Sequence, residues 1–408
     1  MKKIIILSVM LLLSLIFFVS CTGETSGDSL TLYVYNWGEY ISDGSEDSLN
    51  VNEEFEKYCK EELGLNVSVN YSTYSSNEDL YAKLSSGAVS YDVVIPSDYM
   101  LARLASEGLL LEINPKESVG NYANIADDFK GLYYDPDEKF SVPYTYGTVG
   151  IIYNTDMVSK DDTDFGKWSL LWDEDYAGNI LQFNNPRDAF GTAQFYLGYS
   201  INSNDETEWR NALEALKNQK SVVQGYVMDE IFNKLKGGSA AVAPYYAGDF
   251  FTMYADNELL DFYYPEGATN VFVDAMCVPA SSQNPELAIE YINFMLTEEI
   301  AIANAEYICY ASPNKLVFEN EDYTAYMEDE VHPNAISILY DFDIDSMEFY
   351  FDLPTETRML MNELWEELKI ESSVGRSVYI ICYVIIAIIA VGAICYLIRK
   401  KKRESLYD

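Results

Sequence analysis

The residues of this chain that could do chemistry are acids, hydroxyls and aromatic rings gathered at the ends of short apolar segments. Trp37, Gly38, Glu39 and Tyr40 follow one such segment. Ser72, Thr73 and Tyr74 close a second, and Ser97, Asp98 and Tyr99 follow a third. No lysine or arginine stands among them. A carboxylate can replace the hydration that an ammonium loses on burial, and an aromatic face gives an apolar wall that also attracts cations. The set suits a cation with an apolar body. Asp98 is the exception and reads as a helix N-cap.

Enzyme chemistry is poorly supplied. The single histidine, His332, stands in a polar stretch before Pro333 and reads as a surface residue, so no Ser-His-Asp or Cys-His arrangement can be built around it. No HExxH, CxxC or phosphate-cradling glycine loop occurs. Carboxylates are plentiful, yet nothing in their spacing singles out the pair that a secreted glycosidase would need. We therefore expect no catalytic residue, no metal and no cofactor.

The elements that must position these residues follow a regular alternation. Thr31 to Trp37 reads as a strand, Val51 to Leu63 as a helix, and Asn66 to Tyr74 as a second strand. Asn77 reads as the N-cap of a helix to about Ser86. Tyr91 to Pro96 is a short buried strand and Asp98 to Glu107 the next helix. This β-α-β-α-β order predicts a parallel sheet, with a ligand crevice beyond the carboxyl ends of its strands. A second α/β pattern has strands near Thr148–Tyr153, Asn179–Phe183 and Ala240–Pro244, with helices near Arg187–Ser200 and Glu206–Asn218. Further helices are predicted over Asn284–Leu296 and Arg358–Lys369.

The ends set the compartment. Lys2 and Lys3 precede an apolar run from Ile4 to Val19, which reads as a signal peptide over residues 1–20. Cys21 then resembles the acylated cysteine of a bacterial lipoprotein, followed by a polar linker to residue 28; the competing reading is an ordinary secretory signal. Ser377 to Ile398 carries no charge and is long enough to span a bilayer. Arg399, Lys400, Lys401, Lys402 and Arg403 follow it, so the tail 399–408 is read as cytoplasmic and everything between the two segments as outside the cell. A net charge of −40 excludes nucleic acid as a partner and favours the approach of cations. Cys382 and Cys395 fall in the membrane segment. Cys59, Cys277 and Cys309 remain, and are expected as buried free thiols, with a Cys277–Cys309 bridge as the alternative.

Several motifs stand in a recognisable order. Tyr35-Asn36-Trp37-Gly38-Glu39-Tyr40 resembles the opening motif of the bacterial spermidine/putrescine-binding proteins. Tyr71 to Glu78 and Tyr91 to Ser97 continue the match, as do Ser141 to Tyr144, Asp274 with Val278-Pro279, Ile292 to Phe294 and Ser312 to Asn314. The likeness covers roughly residues 30 to 370. It implies two α/β lobes with the ligand clamped between them, lobe one taking 29–146 and 274–311 and lobe two 147–273 and 312–376. It also implies a monomeric extracytoplasmic receptor that hands a polyamine to a membrane permease driven by a cytoplasmic ATPase.

By the same resemblance Asp274 holds one ammonium, Asp249 matches an acid of the putrescine-type members, and Asp188 matches an acid of the second lobe. Trp37, Tyr40, Tyr99, Tyr246, Phe272 and Tyr310 match wall positions, and Ser97 and Glu39 match polar contacts. Departures are Gly38 in place of a hydroxyl residue, Asn185 in place of an aspartate, and Tyr246 and Phe272 in place of tryptophans. An acid lost at Asn185 and gained at Asp249 leans toward the shorter diamine. Asp188 has a second reading, as a helix cap. Two other functions compete. Adjacent Tyr245 and Tyr246 could ligate ferric ion, and the terminal span suggests a membrane-anchored polyamine sensor without transport.

Overall fold

The computed structural model describes residues 29–45, 48–342 and 347–373. The signal segment, Cys21, the linker and the 377–398 span lie outside them. Among the described residues no helix is long and apolar enough to cross a membrane.

Ten strands form one continuous sheet in the order β2-β1-β3-β9-β4-β7-β5-β6, with β10 on β9 and β8 on β4. At one end β1 (Leu30–Trp37) pairs in parallel with β2 (Val67–Tyr74) and β3 (Val93–Val94). At the other, β5 (Ile180–Phe183) pairs in parallel with β6 (Val223–Val227) and β7 (Val242–Tyr246). Two long antiparallel strands join these halves: β4 (Ser141–Asn154) and β9 (Thr269–Cys277). The first half of β4 pairs with β9, and its second half pairs with β7 and with β8 (Leu260–Tyr263). Every residue of β4 and β9 is buried, as expected for strands covered on both faces. The halves are the two lobes, each a mainly parallel sheet flanked by helices, and the α/β expectation is met.

Ten helices of seven residues or more are described. Lobe one carries α1 (Val51–Glu61), α2 (Asn77–Ser86), α3 (Asp98–Ser106), α8 (Pro285–Met295) and α9 (Glu298–Ile308). Lobe two carries α4 (Pro186–Leu197), α5 (Glu206–Gln219), α6 (Glu230–Lys236), α7 (Ala247–Asp256) and α10 (Thr355–Ser373). The short strand β10 spans Met347–Phe349.

Some local expectations need correction. Ser76, not Asn77, caps α2: its hydroxyl accepts from the Asp79 N–H at 3.1 Å. Asn77 instead accepts the Ser97 N–H at 3.2 Å, tying α2 to the next strand end. The N-cap of α3 is Ser97, not Asp98; the Asp98 carboxylate accepts from the Tyr99 N–H at 2.7 Å inside the first turn and from the Val273 N–H at 3.2 Å, which joins α3 to β9. The strand predicted over 91–96 shrinks to Val93–Val94, although the Asp92 N–H still donates to the Tyr33 carbonyl of β1 at 2.8 Å. His332 is buried, not exposed: it packs edge-on to Tyr254 and beside Phe250 and Phe251, and burial lowers its pKa. Cys59, Cys277 and Cys309 are free and buried, and no bridge joins the last two.

Asp92, inside a quoted motif, is a structural acid. It is buried and accepts from the Tyr33 N–H, the Ser282 hydroxyl and the N–H groups of Gln283 and Asn284, at 2.7–3.1 Å. One carboxylate thus fixes β1 to the turn that starts α8. Asp92→Ala removes the acceptor of four partly buried donors and is expected to destabilise the protein by about 3 kcal/mol in chemical denaturation.

Candidate functional site

The carboxyl ends of the strands of both lobes face a single cleft of about 820 Å³, its open mouth included. Trp37 follows β1, Tyr74 ends β2, and Ser97 and Tyr99 follow β3. From the other side come Asn185 and Asp188 after β5, Asp229 after β6, and Tyr246 and Asp249 after β7. Phe272 and Asp274 project from crossing strand β9. Tyr310 and Tyr350 arrive from segments after α9 and β10.

Asp274 sits at the join of the lobes and is 3% exposed. Its Oδ2 accepts from the Tyr40 hydroxyl at 2.7 Å, and that hydroxyl lies 2.5 Å from Thr145 Oγ1. Its Oδ1 is buried and has no partner among the described residues. Burial pushes the carboxyl up to about 6, while the nearby Ser97 side chain and the Tyr40 hydrogen bond pull it down.

Asp249 lies in the first turn of α7. Burial pushes it up to about 8; Tyr310 lowers it, and Asp229 and Glu39 raise it. A Cβ on the neighbouring Gly248 would stand 2.2 Å from the Tyr310 ring, so only glycine lets that ring reach the acid's turn. Asp188 is raised by burial, and its Oδ2 accepts from the Tyr246 hydroxyl at 2.6 Å and from Asn185 Nδ2 at 2.7 Å. Asn185 is the cap of α4, its Oδ1 accepting the Asp188 N–H at 2.8 Å. The helix-cap reading of Asp188 therefore passes to Asn185.

The aromatic residues form walls between these acids. Trp37 and Tyr74 meet with ring centroids 4.5 Å apart. Phe272 packs edge-on to Tyr246 at 5.5 Å, and Tyr40 edge-on to Tyr310 at 4.9 Å. The structure thus brings together every residue expected at the site save one. Glu39 is exposed and does not line the cleft. Its backbone is left-handed, with φ +52°, and the turn directs it to solvent.

Lining residues that escaped the sequence reading include Arg187, Glu78, Asp229 and Tyr350. Arg187 is buried, donates from Nη2 to Asn202 Oδ1 and Phe351 O at 3.0 Å each, and lies 4.4 Å over the Tyr350 ring. Its neighbour Asp188 could have pointed to it. Glu78 accepts from the Tyr99 hydroxyl at 3.2 Å and is raised by burial; it ends a quoted motif. Asp229 follows a weak, half-buried strand, and Tyr350 comes from far along the chain with no local signal.

Residues 53–329 match the profile of the bacterial extracellular solute-binding proteins. The chain belongs to this family. It is a solute-binding protein and not an enzyme. The Escherichia coli spermidine/putrescine-binding periplasmic protein is 33% identical over 70% of this chain and 78% of its own. The Pseudomonas aeruginosa putrescine/cadaverine-binding protein is 29% identical over 83% and 93%. Among solved structures, a spermidine/putrescine ABC transporter substrate-binding protein from Streptococcus pneumoniae has 30% identity, covers 84% of this chain and 99% of its own, and superposes with a TM-score of 0.64. A Treponema pallidum lipoprotein gives 26%, 83%, 99% and 0.67. The motif resemblance is borne out, and so is the two-lobed fold.

The acids make a prediction for this solute-binding protein when ligand-free. Folding raises Asp249 to about 8 and Asp274 to about 6 from 3.8. A raised folded pKa contributes stability at low pH that is lost as pH climbs through it. The melting temperature of the empty protein is expected to rise from pH 9 to pH 6. Asp249→Asn should flatten the upper part of that rise in a thermal-shift series.

Proposed function

We propose that this protein is the extracytoplasmic substrate-binding component of an ABC-type importer for polyamines, putrescine or spermidine. The observation that carries this reading is the bare, buried Oδ1 of Asp274 between aromatic walls. A buried carboxylate oxygen without a donor is costly, and an ammonium supplies both charge and N–H groups. The polyamine names of the E. coli and P. aeruginosa relatives support the same ligand class. We assign ligand contact to Trp37, Tyr40, Ser97, Tyr99, Asn185, Asp188, Tyr246, Asp249, Phe272, Asp274 and Tyr310. The lobe boundaries are those given from the sequence. Acylation at Cys21 and the 377–398 span would hold the receptor at the membrane beside its permease. Association with a permease and its ATPase follows from this role.

The ferric-ion reading is not favoured. The Tyr246 hydroxyl is already engaged by Asp188 at 2.6 Å, and the relatives named above are polyamine-binding proteins. Nothing in the cleft favours a sensor over a transport receptor.

Calorimetric titration of the full-length protein with putrescine, spermidine and spermine tests the ligand. At least one should bind, and Asp274→Ala should weaken it by at least 100-fold. No heat with any of the three refutes the assignment. The same titration in two buffers of different ionisation enthalpy reads proton release. Polyamine ammonium groups titrate near lysine, at about 10, and stay charged at neutral pH. At pH 7 the empty Asp249, at about 8, holds a proton that the ligand must displace. Binding should therefore release about one proton and weaken as pH falls.

A further inference from the structure

The acids of the cleft are not equivalent. At one end, Asp188 already accepts from Tyr246 and Asn185, and the Arg187 guanidinium stands near both Asp188 and Glu78. That end is partly neutralised by the protein itself. The other end holds Asp229 and Asp249, which follow the neighbouring strands β6 and β7 of lobe two. Among the described residues no lysine, arginine or histidine acts on either of them. The charged neighbours of Asp249 are acids, Asp229 and Glu39, and its one side-chain donor is the Tyr310 hydroxyl.

Asp229 also crosses the gap between the lobes. It is exposed at the cleft mouth, and its Oδ2 reaches Gly38 at the end of β1 in lobe one. A Cβ added to Gly38 would stand 2.9 Å from that oxygen, closer than real Cβ contacts come. The side chain missing at Gly38 is what gives the acid its room. Trp37 and Phe232 line the same end of the cleft and supply apolar surface beside the two carboxylates.

We propose that Asp229 and Asp249 form one ammonium-binding station, completed only when lobe two closes against Gly38, and that Asp229 sets the preference for linear amines carrying charge at both ends. The inference rests on the polyamine reading above and refines it. One ammonium of such a ligand meets the bare oxygen of Asp274. Its far ammonium meets the uncompensated pair, so a ligand with a single charge leaves that pair without a cation. Closure and charge recognition are then one event, since the station has one wall in each lobe.

The test is a mutant cycle on the full-length protein, titrated with putrescine at fixed salt. Asp229→Asn keeps the shape and removes the charge, and is expected to weaken binding tenfold or more. Gly38→Ala, which displaces the Asp229 carboxylate, should weaken binding by a similar factor. The double variant should be no weaker than the worse single one, because both changes remove one interaction. Glu258→Gln, at an exposed acid of lobe two outside the cleft, controls for loss of general charge and should stay within twofold. Circular dichroism melts confirm folding of each variant. Asp229→Asn binding within twofold of the native protein, or the two losses multiplying in the double variant, overturns the station. Native protein that binds no polyamine overturns the underlying reading, and this inference with it, before any variant is made.

Discussion

The structure turns on a buried carboxylate left without a full set of partners. Asp274 stands where the lobes join, with one oxygen held by Tyr40 and the other bare. The atom belongs to a residue that lines the cleft, and no side chain of the described residues serves it. Such an arrangement is unfavourable in the empty protein and becomes favourable when a cation arrives. The surrounding fold can be understood as the means of keeping that atom bare. Thr145 of β4 lies against Tyr40, which fixes the oxygen that is held. Ser97, paired with Asp274 across a bridge, fixes the backbone.

The crossing strands explain how one acid can serve two lobes. Asp274 lies within β9, which pairs with β4 along nearly its whole length. Both strands are buried throughout, so the acid has little freedom to move with either lobe. Asp188, Asp229 and Asp249, by contrast, stand in the segments that follow strands of lobe two, two of them in the first turn of a helix. The cleft combines a charge on the crossing strand with charges carried by lobe two. Arg187 then has a physical sense: a guanidinium stacked on Tyr350 partly offsets the charge of Glu78 and Asp188 at that end of the cleft.

Much of this was legible in the sequence, for reasons that can be named. Strand ends in a parallel sheet are marked by where apolar runs stop, so Trp37, Tyr40, Ser97 and Tyr99 could be found from pattern alone. The acids of lobe two needed the family resemblance, since Asp188 and Asp249 follow segments with no distinctive periodicity. The failures share a cause. Asn77, Asp98 and Glu39 each have a side chain whose direction depends on contacts or dihedrals a residue or two away. Ser76 took the cap, the Val273 N–H took Asp98, and a left-handed turn took Glu39 out of the cleft. His332 was misread because its neighbours in sequence are polar while its neighbours in space are Phe250, Phe251 and Tyr254. Tyr350 and Asp229 were missed because their importance comes from topology, which joins distant segments.

The placement of the indoles has an optical consequence. Of the chain's five tryptophans, Trp37 alone lines the cleft. Trp168, Trp209 and Trp365 are buried in lobe two, and the Trp172 ring stacks on Tyr196 there. The indole Nε1 of Trp37 has no partner, and its ring leans on Tyr74. Four emitters thus form a constant background, while the fifth reports directly on what occupies the space between the lobes. The receptor carries its own fluorescent gauge of occupancy, without any added label.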